Sequence, residues 1–150
     1  MGQNATEKAL LFLQSLVNKP LHYGIKSPDL DLYDFGFGDN AFCASINGKA
    51  VCPYVLHVTC RFKIMPQSEK ANPLFFYEDT SSQEFHTVIN KLIGLDVKRV
   101  SLSTKNDLWL DFDDYWIVFV TTENGEESWR FFLQDADTPH LVASNSWLLL

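Results

Sequence analysis

Proton transfer near neutral pH would fall to His22, His57, His86 and His140, the chain's four histidines. None stands four residues from another ligand on a helix, and no His-x-His occurs, so metal-site spacing is absent. His57 falls on the outward side of its strand beside Arg61, the setting of a solvated face. His140 follows Pro139 at a strand start, where a backbone hydrogen bond is the ordinary role. A catalytic histidine needs a paired nucleophile or carboxylate, and the sequence sets none beside these four. The carboxylates gather at Asp107, Asp111, Asp113, Asp114, Glu123, Glu126 and Glu127. A glycosidase would need two of them roughly 5–10 Å apart across a cleft. Most fall on hairpin turns, where Asp has a conformational reason to be, and turn chemistry is the stronger account.

The three cysteines, Cys43, Cys52 and Cys60, form an odd set with no Cys-x-x-Cys pair. This argues against a secreted disulfide framework and against a zinc site. Cys60 shares a strand face with Leu56 and Val58, which makes it a buried, inert thiol. Gly36-x-Gly38 lacks the Lys-Ser/Thr tail and following helix of a phosphate loop, and no Gly-x-Ser-x-Gly is present. The expectation is therefore no catalytic, cofactor-binding or metal-binding residues and no enzymatic activity.

The bulk chemistry narrows the partners. The formal charge is −7 and the pI about 4.9. Such a surface repels phosphate backbones, which excludes nucleic acid as the expected ligand. The acidity serves solubility or complements a basic protein. No segment approaches the roughly 20 apolar residues of a membrane span. Ala9 to Val17, interrupted by Gln14 and Ser15, makes a poor signal peptide, so a cytoplasmic chain is expected. Asn4-Ala5-Thr6 and Met1-Gly2 with Thr6 match modification patterns, but helix capping explains the same residues.

These residues must be positioned by one domain spanning 1–150, with 46% hydrophobic and 14% aromatic content to build its core. Residues 4–18 read as a helix capped by Asn4 and Glu7, with Leu10, Leu13, Leu16 and Val17 on its core face. Residues 21–26 and 30–37 read as strands around Ser27-Pro28-Asp29. Asn47-Gly48 suits a type I′ turn. Counting outward, Ile46 faces Lys49 and Cys43 faces Cys52, as free thiols in a reducing cytosol. The strand after Pro53 runs to Met65, with Tyr54, Leu56, Val58, Cys60 and Phe62 inward and His57, Thr59, Arg61 and Lys63 outward. Residues 66–80 are irregular and the most mobile stretch. A helix over 82–93, capped by Ser81 or Ser82, buries Phe85, Val88, Ile89, Leu92 and Ile93 and ends at Gly94.

The last third reads as a meander of strands 96–103, 108–112, 115–122, 127–134 and 140–143, with Asn124-Gly125 as a second type I′ turn. One face holds Leu108, Leu110, Phe112, Tyr115, Ile117, Phe119 and Phe132. The other holds Trp109, Trp116, Val118, Trp129 and Phe131. An antiparallel meander needs only one apolar face. The second is either covered by a helix or by the first half, or exposed as an interface. In the exposed case the partner-binding candidates are Trp109, Asp111, Asp113, Asp114, Trp116, Glu126, Glu127 and Trp129: aromatic anchors within an acidic rim. The fold class is α+β, antiparallel meander sheets with two helices. Stretches 4–65 and 82–143 read as pseudo-repeats of a helix-plus-meander unit. Leu32-Tyr33-Asp34-Phe35 is similar to Trp109-Leu110-Asp111-Phe112, and Cys60-Arg61-Phe62 to Trp129-Arg130-Phe131.

Leu56-His57-Val58-Thr59-Cys60-Arg61-Phe62-Lys63-Ile64 and Glu127-Ser128-Trp129-Arg130-Phe131-Phe132, followed by His140-Leu141-Val142, resemble an uncharacterised family of small bacterial proteins. In that family the first run tends to end in Trp-Arg-Ile; Phe62 and Lys63 stand there in this chain. The resemblance brings no activity or cofactor. In type the chain is also similar to the immunity proteins that accompany bacterial toxins: small, acidic, cytoplasmic and non-enzymatic. The expectation is a protein-binding module, of immunity type, for a basic toxin or other protein partner. The alternative is a small-ligand binder or an enzyme in a cleft of the curved sheet. A deep pocket with a titratable residue would favour the alternative; a flat acidic and aromatic face favours the module.

Overall fold

The computed structural model describes residues 4–28, 32–68, 73–76, 82–134 and 137–150. The chain is an α+β fold of antiparallel sheets. Helix α1 (Ala5–Leu13) starts where the Glu7 amide donates to Asn4 Oδ1 at 2.8 Å. It runs into a 3-10 turn, Gln14–Leu16, and stops at Asn18, which takes φ 69°. Ala9, Leu13 and Leu16 are buried. Strands β1 (Leu21–Lys26) and β2 (Tyr33–Phe37) form a hairpin, with residues 29–31 of the connection outside the described set.

Strands β3 (Ala44–Ile46) and β4 (Lys49–Val51) pair through Ile46↔Lys49 and Ala44↔Val51. Asn47 and Gly48 both take positive φ, 53° and 76°, as a type I′ turn requires. That register sets Cys43 opposite Cys52, as the sequence implied, with Cα atoms 4.3 Å apart. The expected free thiols are corrected: the two are joined in a disulfide.

Strand β5 (Tyr54–Val58) and strand β6 (Arg61–Pro66) are not one continuous strand. At Thr59–Cys60 the chain leaves one sheet and enters another. Both of these amides donate to the Ser128 carbonyl, at 2.9 and 3.2 Å. Within the 66–80 connection, β7 (Phe75–Phe76) pairs with β6; residues 69–72 and 77–80 lie outside the described set, as does Ser81. Helix α2 (Ser82–Ile89) buries Phe85, Val88 and Ile89, with Leu92 just beyond, while Ile93 is exposed. Gly94, at φ 90°, ends that segment.

Strands β8 (Arg99–Leu102), β9 (Leu108–Asp111) and β10 (Tyr115–Val120) form the expected meander. The meander then stops. Strand β11 (Trp129–Leu133) joins the other sheet, between β5 and β12 (Leu141–Ala143). Of the Asn124-Gly125 pair, only Gly125 takes positive φ, and Asn124 Oδ1 instead accepts from the Glu126 amide at 2.9 Å. This side-chain turn carries the chain between sheets rather than closing a hairpin. A last strand, β13 (Leu148–Leu149), pairs with β12.

The result is a six-stranded sheet, β1-β2-β5-β11-β12-β13, facing a five-stranded sheet, β7-β6-β10-β9-β8. Inward rows Tyr33↔Val58↔Trp129 and Leu108↔Phe119↔Phe62 cross the two sheets. Their rings meet between the layers: Tyr33 and Phe62 at 4.7 Å, Phe35 and Phe119 at 5.5 Å, with Phe85 of α2 at 4.9 Å from Tyr33. The element order repeats. Each half gives a helix, an antiparallel three-strand run (β1-β2-β5, then β8-β9-β10), and a strand that crosses to the other half's sheet. Because β6 pairs with β10 and β11 with β5, neither half closes a core alone. Helix α1 packs against β8 and β13, α2 against β1 and β7; these four are the edge strands of the sheets. Among the described residues the helices therefore pack mainly at the edges of the sandwich rather than across the outer face of either sheet. Among the described residues no helix is long and apolar enough to cross a membrane.

Candidate functional site

The outward positions of β8, β9 and β10 carry the first candidate. Arg99↔Asp111↔Trp116 form one cross-strand row and Ser101↔Trp109↔Val118 the next. Trp109 and Trp116 are thus diagonal neighbours, and their rings stack with centroids 4.8 Å apart at 27°. Trp109 is 40% exposed, and Val118 beneath the pair is buried. Asp111 accepts from Arg99 Nε and Nη2, each at 3.2 Å. Its other oxygen accepts from the Asp113 amide at 2.8 Å, which holds the β9–β10 turn with Asp113 at φ 72°. Gln14, Gln67 and Lys98 complete a groove of about 460 Å³ beside the tryptophans. The surface offers large rigid rings with one cationic edge and, at the turn, the exposed carboxylates of Asp113 and Asp114.

The other expected residues are elsewhere. Trp129 is fully buried, and its Nε1 donates to the Asn106 carbonyl at 2.9 Å. Asn106 Nδ2 in turn donates to the Ser144 carbonyl at 2.9 Å, so this tryptophan belongs to a polar knot in the core. Phe131 is likewise buried. Glu126 and Glu127 lie on the crossing after β10, at the opposite end of that strand from Asp113 and Asp114. A six-residue strand separates these groups by about 20 Å at 3.2–3.4 Å per residue. The acidic rim is therefore two clusters and not a ring. Phe132, expected on one face with Leu108 and Phe119, sits on the outer face of the six-stranded sheet against His57 and His140. These displacements share one cause: the strand that was to continue the meander belongs to the other sheet.

That outer face holds an arrangement the sequence reading missed. Asp34↔His57↔Arg130 form a single row across β2, β5 and β11. Asp34 Oδ1 accepts from the Tyr23 hydroxyl at 3.1 Å and lies 3.6 Å from His57 Nε2. Arg130 Nη2 donates to Glu127 at 2.7 Å, and its Nη1 lies 3.1 Å from His140 Nδ1. The Tyr23 ring lies across Gly36, where a side chain would collide with it. Burial raises the Asp34 carboxyl above its usual 3.8, against the opposing pull of His57, the Tyr23 hydrogen bond and Lys49. Burial also raises the Tyr23 phenol, with the Asp34 charge adding to it, so the hydroxyl stays protonated as a donor. An Asp–His pair can orient an imidazole as a base. Here the hydroxyl bonded to that Asp is a phenol held away from ionisation. Cys60, buried under the crossing strands, has its thiol pushed up to about 12, the state of an inert core thiol. Its alternation with Leu56 and Val58 placed it correctly. Asp34 and His57 are each legible as outward residues; what sequence could not give is that β2 and β5 pair directly across the β3–β4 hairpin.

Compared with family models, curated proteins and solved structures, the chain matches none.

Proposed function

We propose that this chain is a non-enzymatic protein-binding module, of immunity type, whose partner seats on the outer face of the five-stranded sheet. One observation carries the reading: Trp109 and Trp116 stack on the outer face of that sheet with Trp109 40% exposed. An antiparallel sheet with one buried side is expected to be polar on the other. Tryptophan and arginine are the residues that anchor protein interfaces, because large rigid groups bury much area at little entropic cost. Arg99 stands in the same cross-strand row as Trp116, with Asp111 between them. The net charge of −7 supports a basic partner, with Asp113 and Asp114 steering its approach.

The test is coexpression with the product of the adjacent gene, followed by titration of the purified pair. The expected result is a stoichiometric complex that Trp109→Ala and Trp116→Ala weaken by about 30-fold or more, the size of an interface anchor. A complex indifferent to both substitutions would remove this face from the reading. A second reading, small-ligand binding, draws on the groove itself, whose volume falls within the roughly 300–1,000 Å³ of small-molecule sites. Quenching of tryptophan fluorescence by a small polar ring compound, with no protein complex formed, would favour it.

A further inference from the structure

Cys43 and Cys52 meet at the foot of the β3–β4 hairpin, and a third side chain reaches them from another element. In β1 the register shifts at His22: Leu21 pairs with Phe37 and Tyr23 with Gly36, so His22 is the extra residue. An inserted residue of this kind bends the strand and re-aims its side chain. A ring nitrogen of His22 and the sulfurs of Cys43 and Cys52 all lie within 4.8 Å of one another. The backbone around them is held. The Gly38 amide donates to the Pro20 carbonyl at 2.9 Å and the Cys43 amide to the Asp39 carbonyl at 3.0 Å. Gly38, at φ 145°, passes so close that a Cβ there would stand 3.0 Å from Cys43 Sγ. Only glycine leaves that sulfur its room.

We propose that the reduced form of this cluster binds a zinc ion through Cys43, Cys52 and His22, and that the disulfide is its oxidised, metal-free form. Two thiolates and an imidazole are donors that zinc prefers, and three protein ligands leave the fourth tetrahedral position open. With Zn–S of about 2.3 Å and Zn–N of about 2.0–2.1 Å, tetrahedral ligand atoms stand roughly 3.3–3.8 Å apart. The present separations come within reach of that by side-chain rotation. Cys52 is buried while Cys43 and His22 are partly exposed, so the ion enters from the Cys43 side. The chemistry balances with a small-molecule thiol as reductant. Two electrons from two such thiols break the S–S bond, their protons end on Cys43 and Cys52, and the reductant leaves as its own disulfide. Zn²⁺ then displaces both cysteine protons to solvent. Chain spacing hides this site, because His22 lies far before the hairpin and only the β1–β2–β5 pairing brings it there.

The experiment titrates the reduced, metal-free full chain with Co²⁺, zinc's spectroscopic substitute, and then with Zn²⁺. The expected result is one Co²⁺ per chain, with thiolate-to-cobalt absorption and tetrahedral bands that Zn²⁺ abolishes. The oxidised chain should show none of this. Cys43→Ser and Cys52→Ser should lose the full thiolate band, and Cys60→Ala should keep it. His22→Gln should weaken binding by at least about tenfold, as loss of a ligand costs no less than loss of its supporting hydrogen bond. If the serine variants do not fold, the wild type and His22→Gln decide. Absent thiolate absorption, equal binding by the oxidised chain, an unaffected His22→Gln, or a chain that unfolds on reduction would each overturn the proposal.

Discussion

The outer faces of the two sheets differ in what their polar groups do. On the six-stranded sheet, Tyr23, Asp34 and His57 bond or pair with one another, as do Glu127, Arg130 and His140. On the five-stranded sheet, Arg99 and Asp111 pair, but the centre is the Trp109–Trp116 stack, which meets solvent. Both faces arise from the same strand order within each half, and the described helices pack mainly against the edge strands of the two sheets. The difference lies in the residues and not in the architecture. A face whose polar groups are already matched gains little from a partner, whereas exposed rings gain the transfer of their area from water.

The largest effect should mark the boundary between core and face. Trp129→Ala removes a fully buried indole and the donor to the Asn106 carbonyl. It should cost about 3–5 kcal/mol of stability, measured by urea denaturation. Trp109→Ala should cost far less stability, under about 1 kcal/mol, because it leaves no cavity. Equal losses for the two would mean that the exposed stack is structural, and the contrast between the faces would fail. Next in size is binding. Trp109→Ala and Trp116→Ala should each weaken the partner complex by at least about 2 kcal/mol. His57→Ala and Arg130→Ala, on the opposite face, should leave it within about 0.5 kcal/mol in the same titration. A stronger effect from the second pair would move the interface to the other sheet.

These contrasts also measure what the sequence made legible. Local signals held: the Asn4–Glu7 cap, the Asn47-Gly48 turn, and the strand alternation that buries Cys60 and exposes Thr59. The period of two and a tight turn put Trp109 and Trp116 on one shared face, but whether that face is covered or exposed is not legible in the sequence. Trp129 and Phe131 were misplaced because side assignment across a turn depends on which strands pair. Asn124-Gly125 has hairpin composition, yet the Thr59 and Cys60 amides both donate to the Ser128 carbonyl and β11 pairs with β5 in the other sheet. The Cys43–Cys52 register was legible from one turn, while its oxidation state rested on an assumed compartment and not on geometry. The Asp34–His57 and His22–cysteine groupings were illegible, since each needs a long-range strand pairing.

The smallest effect tests whether the six-stranded face is as self-satisfied as its hydrogen bonds suggest. Burial raises the Asp34 carboxyl above 3.8, more than His57, Tyr23 and Lys49 lower it. A carboxyl with a raised folded pKa holds its proton in the native chain over a window where the unfolded chain has lost it. The native state then binds more protons, so its stability falls as pH rises across that window. Above it the penalty is constant; below the ordinary value of 3.8 it is absent. Asp34→Asn keeps an oxygen to accept from Tyr23 but carries no charge. It should therefore leave stability at pH 7 unchanged or raised by up to about 1 kcal/mol, the scale of one hydrogen bond. The variant and wild type should converge as pH drops below the carboxylate range. Melting temperatures from pH 3 to 8 read both the sign and the window. A variant clearly less stable at pH 7 would show that Asp34 and His57 stand as a working ion pair. The six-stranded face would then hold an imidazole oriented by a carboxylate, and the binding reading of the five-stranded face would lose its contrast.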